Sequence, residues 1–172
     1  VTATTPVRLL RIDGAAFRQL LADHPELREA FEQGQDYAER VRFLKLAATP
    51  FSSLPHEHLQ PLVAALRPLH LEPGEVVMRQ GETGDECYLL RSGRVEVLLA
   101  QDDRSERQIA TLGPGTLLGE TALLTNSPRN ATVRALEPCE LLALGRDALL
   151  SALTGAEATG RALREMLQLR AR

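Results

Sequence analysis

The chain has no tryptophan, two tyrosines and four phenylalanines in 172 residues, so aromatics make up only 3%. That leaves too few rings for a stacking platform under single-stranded nucleic acid. Positive charge is short as well. Twenty lysines and arginines stand against 23 acids, giving a net charge of −3 and a pI near 5.8, the wrong sign for a groove that tracks nucleic-acid phosphates. No apolar run approaches the ~20 residues needed to span a bilayer, so direct membrane insertion is not expected. Only two cysteines occur, Cys87 and Cys139. Both fall in predicted strands, where buried, reduced thiols are the ordinary state in the cytoplasm and a disulfide is unneeded. No Gly-x-Ser-x-Gly nucleophile motif is present, and His56-x-His58 has no further ligands nearby to make a metal site. Neither catalysis nor a metal is expected.

Apolar residues, at 44% of the sequence, are ample for a core, and the length suits one full domain with some to spare. Glycines at Gly74, Gly81, Gly84 and Gly93 punctuate short runs rich in β-branched, aromatic and leucine residues, Val76-Val77, Tyr88-Leu89-Leu90 and Val95-Glu96-Val97 among them. Several short strands at this spacing predict an all-β barrel or roll. Helices flank it. A short strand over 7–12 leads to a helix over 14–22 that Asp13 can cap. Pro25 suits a helix start, and apolar residues from Leu27 to Leu44 recur at a helical period. Gly34 interrupts that period at a cost of ~1 kcal/mol relative to alanine, so one helix or two both fit. Thr49-Pro50 ends it, and a third helix follows over 54–66. Strands occupy about 69–145, a short helix 146–153, and a last helix about 157–170 after Gly155.

The stretch from Leu118 to Val133 carries the most chemistry. Gly119 and Glu120 open a short apolar helix, an Asn126-Ser127-Pro128 turn delivers Arg129, and Ala131-Thr132-Val133 begin a strand. Unpaired N–H groups at a helix start suit an anion. A guanidinium supplies a planar fork of donors for a phosphate, and an ionised carboxylate accepts from a hydroxyl pair such as a ribose edge. One sugar and one phosphate together describe a small nucleotide.

The segment Gly119-Glu120-Thr121-Ala122-Leu123 … Pro128-Arg129-Asn130-Ala131-Thr132-Val133 closely resembles the phosphate-binding cassette of the cyclic nucleotide-binding domain family. The glycine-spaced runs from Pro73 to Val97 resemble that family's jelly-roll strands, and the likeness covers roughly residues 45–153. It implies an α+β fold, mainly β: an eight-stranded jelly-roll β-roll flanked by N-terminal helices and C-terminal lid helices. It further implies that Glu120 binds the ribose 2′-hydroxyl and Arg129 the cyclic phosphate. Gly119, Thr121, Ala122, Asn130 and Ala131 would complete the cradle, partly through backbone amides. Two positions depart from the family pattern: Thr121 stands where leucine is usual, with only its backbone engaged, and Asn130 where alanine, serine or threonine is usual. In the family the helix after the roll closes over the base, and here Leu163, Met166 and Leu167 are the candidates for that lid.

The expected role is a non-catalytic switch that binds a 3′,5′-cyclic nucleotide and acts on a covalently attached effector. cAMP is expected ahead of cGMP as the commoner bacterial ligand. Two alternatives stand beside it. One is a ligand-free module of the same fold used for interaction or dimerisation, in which a homodimer forms. The other is the sensor of a catabolite-activator-type transcription regulator, opposed by the acidic balance and by the absence of a basic recognition helix after the cassette.

The start of the chain repeats its own later part. At an offset of 132, Val1, Ala3, Pro6, Leu9, Leu10, Ala16 and Leu21 meet Val133, Ala135, Pro138, Leu141, Leu142, Ala148 and Leu153, seven identities in 21 gap-free positions. Residues 1–33 are therefore expected to be the C-terminal tail of a preceding module of the same kind, in a piece cut from a longer protein. Residues 34–50 would be a helical linker, 51–153 the nucleotide-binding domain and 154–172 the lid. The apolar side chains of the tail, such as Phe17 and Leu20, would then seek another copy or the chain's own roll.

Overall fold

The computed structural model of the chain describes residues 11–46, 51–52, 54–102 and 105–154, with Pro6, Arg8 and Arg161. Two compact units are present, Val1–Ala38 and Glu39–Arg172.

In the first unit, helix α1 spans Gly14–Asp23, and Asp13 caps it by accepting from the amides of Ala15 and Ala16, both at 2.9 Å. An aspartate here satisfies amides that have no partner within the helix. Helix α2 runs Pro25–Leu46 and enters the second unit. Gly34 does not break it. Phe17 and Phe31 meet edge to face, with ring centroids 5.2 Å apart, yet α1 buries no residue, and Ile12, Leu20, Leu27 and Phe31 stay exposed. Arg11 and Ile12 are outside regular structure; the rest of the strand expected over 7–12 lies outside the described residues, Arg8 apart.

The second unit is an eight-stranded antiparallel roll. Its elements are α3 (His56–Ala65), β1 (Arg67–Leu71), β2 (Val76–Met78), β3 (Glu86–Ser92), β4 (Val95–Ala100), β5 (Glu106–Leu112), β6 (Leu117–Leu118), α4 (Glu120–Thr125), β7 (Thr132–Ala135), β8 (Cys139–Gly145) and α5 (Arg146–Thr154). One sheet has the order β1-β8-β3-β6, the other β2-β7-β4-β5. The two sheets share a core. Leu71, Leu90, Leu118, Cys139 and Leu141 of the first cluster with Met78, Val95, Val133 and Ala135 of the second. A side chain removed from water this completely contributes ~1.5–3 kcal/mol when it is a leucine or valine.

Strand β8 is buried along nearly its whole length, Leu141 to Leu144 included. A run buried on both faces loses the in–out alternation of a half-exposed strand. Leu149 of α5, the helix that packs on this strand, is buried, and so are Leu59, Leu62 and Val63 of α3, which packs on α5. The end of α2 is anchored to the segments flanking α3. Leu44 is fully buried, Arg40 Nη1 donates to Leu66 O at 2.7 Å, and Lys45 Nζ donates to Leu54 O. On the roll, Arg91 meets Glu39 at 2.8 Å. These anchors outweigh the ~1 kcal/mol cost of a helical glycine, which is why α2 stays continuous.

Both cysteines are buried and free, in β3 and β8 as expected. Among the described residues no helix is long and apolar enough to cross a membrane. The expected last helix falls outside the described residues except for Arg161, which is helical.

Candidate functional site

Strand β6 runs directly into Gly119, whose left-handed backbone (φ 77°) turns the chain into α4. Few residues other than glycine adopt this conformation without strain. At the far end Asn126 is also left-handed, with φ 52°, a conformation asparagine tolerates better than most residues. Ser127 then donates its amide to Ala122 O, and Pro128 hands over to Arg129. Helix α4 has only six residues, so any anion there is met by individual first-turn amides more than by a long aligned dipole.

Arg129 is held at both ends. Its backbone pairs with the β2–β3 loop: Gly81 N donates to Arg129 O at 2.9 Å, and Arg129 N donates to Glu82 O at 2.8 Å. Just beyond, the Gln80 amide donates to Thr132 Oγ1 at 3.0 Å. Its guanidinium reaches back across the cassette, with Nη1 donating to Gly119 O at 2.8 Å and Nη2 to Glu86 O at 2.6 Å. Only 5% of the residue is exposed. These two contacts engage two of the five guanidinium N–H groups.

Glu120 is 1% exposed, and Thr121 Oγ1 donates to its Oε1 at 3.4 Å. The pair Glu120 and Arg129 is therefore an interior one, and an ordinary surface salt bridge does not describe it. Both charges are felt by Cys87. Burial pushes that thiol up to about 12, the negative Glu120 adds to the rise, and the positive Arg129 opposes it.

The structure brings Gly119, Glu120, Thr121 and Arg129 together through these contacts and buries Ala122 alongside. Asn130 is exposed and Ala131 half-buried. Leu163, Met166 and Leu167 lie outside the described residues. Two contributors escape sequence reasoning. Glu86 takes part through its main-chain carbonyl, which no residue type advertises. Gly84 reads as a turn glycine, but a Cβ there would lie 2.3 Å from Arg129 Nη2, so its smallness makes room for the guanidinium. A groove of about 550 Å³ is lined by Asp85, Glu86, Gly145, Arg146 and Asp147, among others. It shares Glu86 with the arginine anchor and none of the predicted site residues.

The profile of the cyclic nucleotide-binding domain matches residues 68–155, from β1 through α5. The chain belongs to the cyclic nucleotide-binding domain family. This cyclic nucleotide-binding domain is 33% identical over 150 residues to the cAMP-dependent protein kinase regulatory subunit of Dictyostelium discoideum, covering 85% of this chain and 43% of that protein. It is 43% identical over 99 residues to acetyltransferase Pat of Mycolicibacterium smegmatis, covering 57% of this chain and 29% of Pat. Among solved structures, the regulatory domain of Toxoplasma gondii PKA in co-crystal with cAMP aligns with a TM-score of 0.63 at 33% identity, covering 69% of this chain and 44% of that one. The chain thus spans less than half the length of these relatives.

Proposed function

We propose that residues 51–153 bind a 3′,5′-cyclic nucleotide, cAMP in preference to cGMP, and switch an effector attached to the same polypeptide without catalysing a reaction. The observation that carries this reading is Arg129, buried and anchored on Gly119 O and Glu86 O, in one cassette with the buried Glu120. A guanidinium fixed in this way is preorganised for a phosphate. Glu120 would accept from the ribose 2′-hydroxyl, with Gly119, Thr121, Ala122, Asn130 and Ala131 around the sugar and phosphate. The preference for cAMP is supported by the cAMP that the Toxoplasma regulatory domain carries. A lid formed by Leu163, Met166 or Leu167 would complete the bound state, and ligand would shift the switch by its differential affinity for the two states.

Residues 1–33 are proposed as the tail of a preceding module of the same kind, joined by a helical linker over 34–50, with the lid over 154–172. Supporting the first assignment, α1 starts at Gly14 and α5 at Arg146, an offset of 132 that equals that of the sequence repeat.

Titration calorimetry with cAMP and cGMP tests the binding. The intact chain should bind cAMP with micromolar affinity, about −8 kcal/mol. Arg129→Ala should weaken it by roughly ten- to a few-hundred-fold, the worth of a charge-assisted bond. A second reading, a ligand-free interaction module, draws on the same arginine, because two main-chain carbonyls already partner its guanidinium. Folded protein that gives no heat with either nucleotide would favour that reading.

A further inference from the structure

We infer that the Thr121 hydroxyl is a positioning residue for Glu120, and that through it the site separates a ribose bearing a 2′-hydroxyl from one lacking it. The inference rests on Glu120 being the ribose acceptor. Residues adjacent in sequence do not normally face each other on a helix. Here, however, Thr121 Oγ1 donates to Glu120 Oε1 at 3.4 Å, so the carboxylate is turned toward its neighbour's hydroxyl. Glu120 is almost wholly buried while Thr121 is half-buried. Thr125 Oγ1 donates to Thr121 O at 2.8 Å and shares a 2.7 Å contact with Ser127 Oγ. The main chain of Thr121 is thus tied, through Thr125, to the turn before Arg129.

A leucine at this position could not donate to the carboxylate. A donor on Oε1 still leaves lone pairs on the same group for a ligand hydroxyl, and it limits the rotamers that binding must freeze. The contact is long for an O–H···O bond, which places the effect at the modest end.

The test is calorimetry of the full chain with cAMP and with 2′-deoxy-cAMP, for wild type, Thr121→Val, Thr121→Ala and Thr121→Ser. Wild type should favour cAMP. The ratio of the two affinities should narrow by roughly two- to fivefold in the valine and alanine variants and be restored in the serine variant. An unchanged ratio in both hydroxyl-free variants would overturn the role of Thr121 while leaving nucleotide binding in place. Equal wild-type affinity for the two ligands would overturn it by removing Glu120 as the ribose acceptor. Wild type that binds neither ligand would overturn the nucleotide reading itself, and this inference with it.

Discussion

Gly84 and Arg129 compete for one space: a Cβ on the glycine would lie 2.3 Å from Nη2 and 2.8 Å from Cζ of the arginine. Gly119 stands in the same relation to Nη1, at 2.4 Å. The guanidinium is therefore sited by two missing side chains as well as by two carbonyls, one from the cassette and one from the start of β3.

Gly84→Ala should push the guanidinium off Glu86 O. The end of an arginine can move, so the loss should fall on ligand binding first, roughly tenfold or more, with about 1–3 kcal/mol of folding stability for overpacking. Gly119→Ala should cost more stability than Gly84→Ala, because its φ of 77° adds left-handed backbone strain. Urea unfolding read beside calorimetry separates the two effects. Wild-type affinity in Gly84→Ala would show that the close approach does not set the arginine.

Glu120→Gln preserves shape and removes one buried charge. Affinity for cAMP should fall roughly tenfold or more, as for the loss of a charged acceptor. The same substitution should lower the Cys87 pKa, because Glu120 is the second contributor, after burial, to its rise. A fall in affinity without movement of the thiol would separate Glu120 from the interior environment described for it.

Much of this arrangement was legible in the sequence, and the remainder was not for identifiable reasons. Glu120 and Arg129 announce themselves by residue type and spacing, and the glycine-punctuated runs mark the roll because strand breaks need turn chemistry. What anchors Arg129 does not announce itself. Glu86 takes part through a carbonyl that every residue has. Gly74 and Gly81 have positive φ and are true turn glycines, whereas Gly84 looks the same in sequence and serves to admit a side chain from 45 positions away. The continuity of α2 through Gly34 was undecidable locally. It is set by tertiary anchors at Arg40, Leu44 and Lys45, which outweigh a local propensity.

Leu149 and Phe17 are counterparts at the repeat offset of 132, in α5 and α1, yet their surroundings differ. Leu149 is fully buried and Phe17 only half-buried. Leu149→Ala should cost about 2–5 kcal/mol by leaving a cavity. Phe17→Ala should cost about 1 kcal/mol, mainly through its edge-to-face pair with Phe31. Chemical denaturation of the two variants measures the difference. Equal costs would mean that the first copy of the repeat is as fully packed as the second, against its assignment as a tail whose roll lies elsewhere.

Alkaline unfolding should carry the signature of Cys87. Burial, then the charge of Glu120, raise its thiol from an ordinary 9.0 to about 12 in the folded chain. The folded state keeps a proton that the unfolded state releases near pH 9. The stability linked to this group is therefore fully present below about pH 9 and is lost as pH rises toward 12, at up to about 1.4 kcal/mol per pH unit. The Cys139 thiol is raised too, chiefly by burial, and its loss has the same sign. Urea midpoints at pH 7, 9 and 10.5 should stay level over the first interval and fall over the second, and Cys87→Ala should flatten that fall. Thiol-reactive reagents should label both cysteines slowly in native protein and fast after unfolding, since only the thiolate is the nucleophile. Rapid native labelling of Cys87 at pH 8 would contradict its place beneath Glu120 and Arg129.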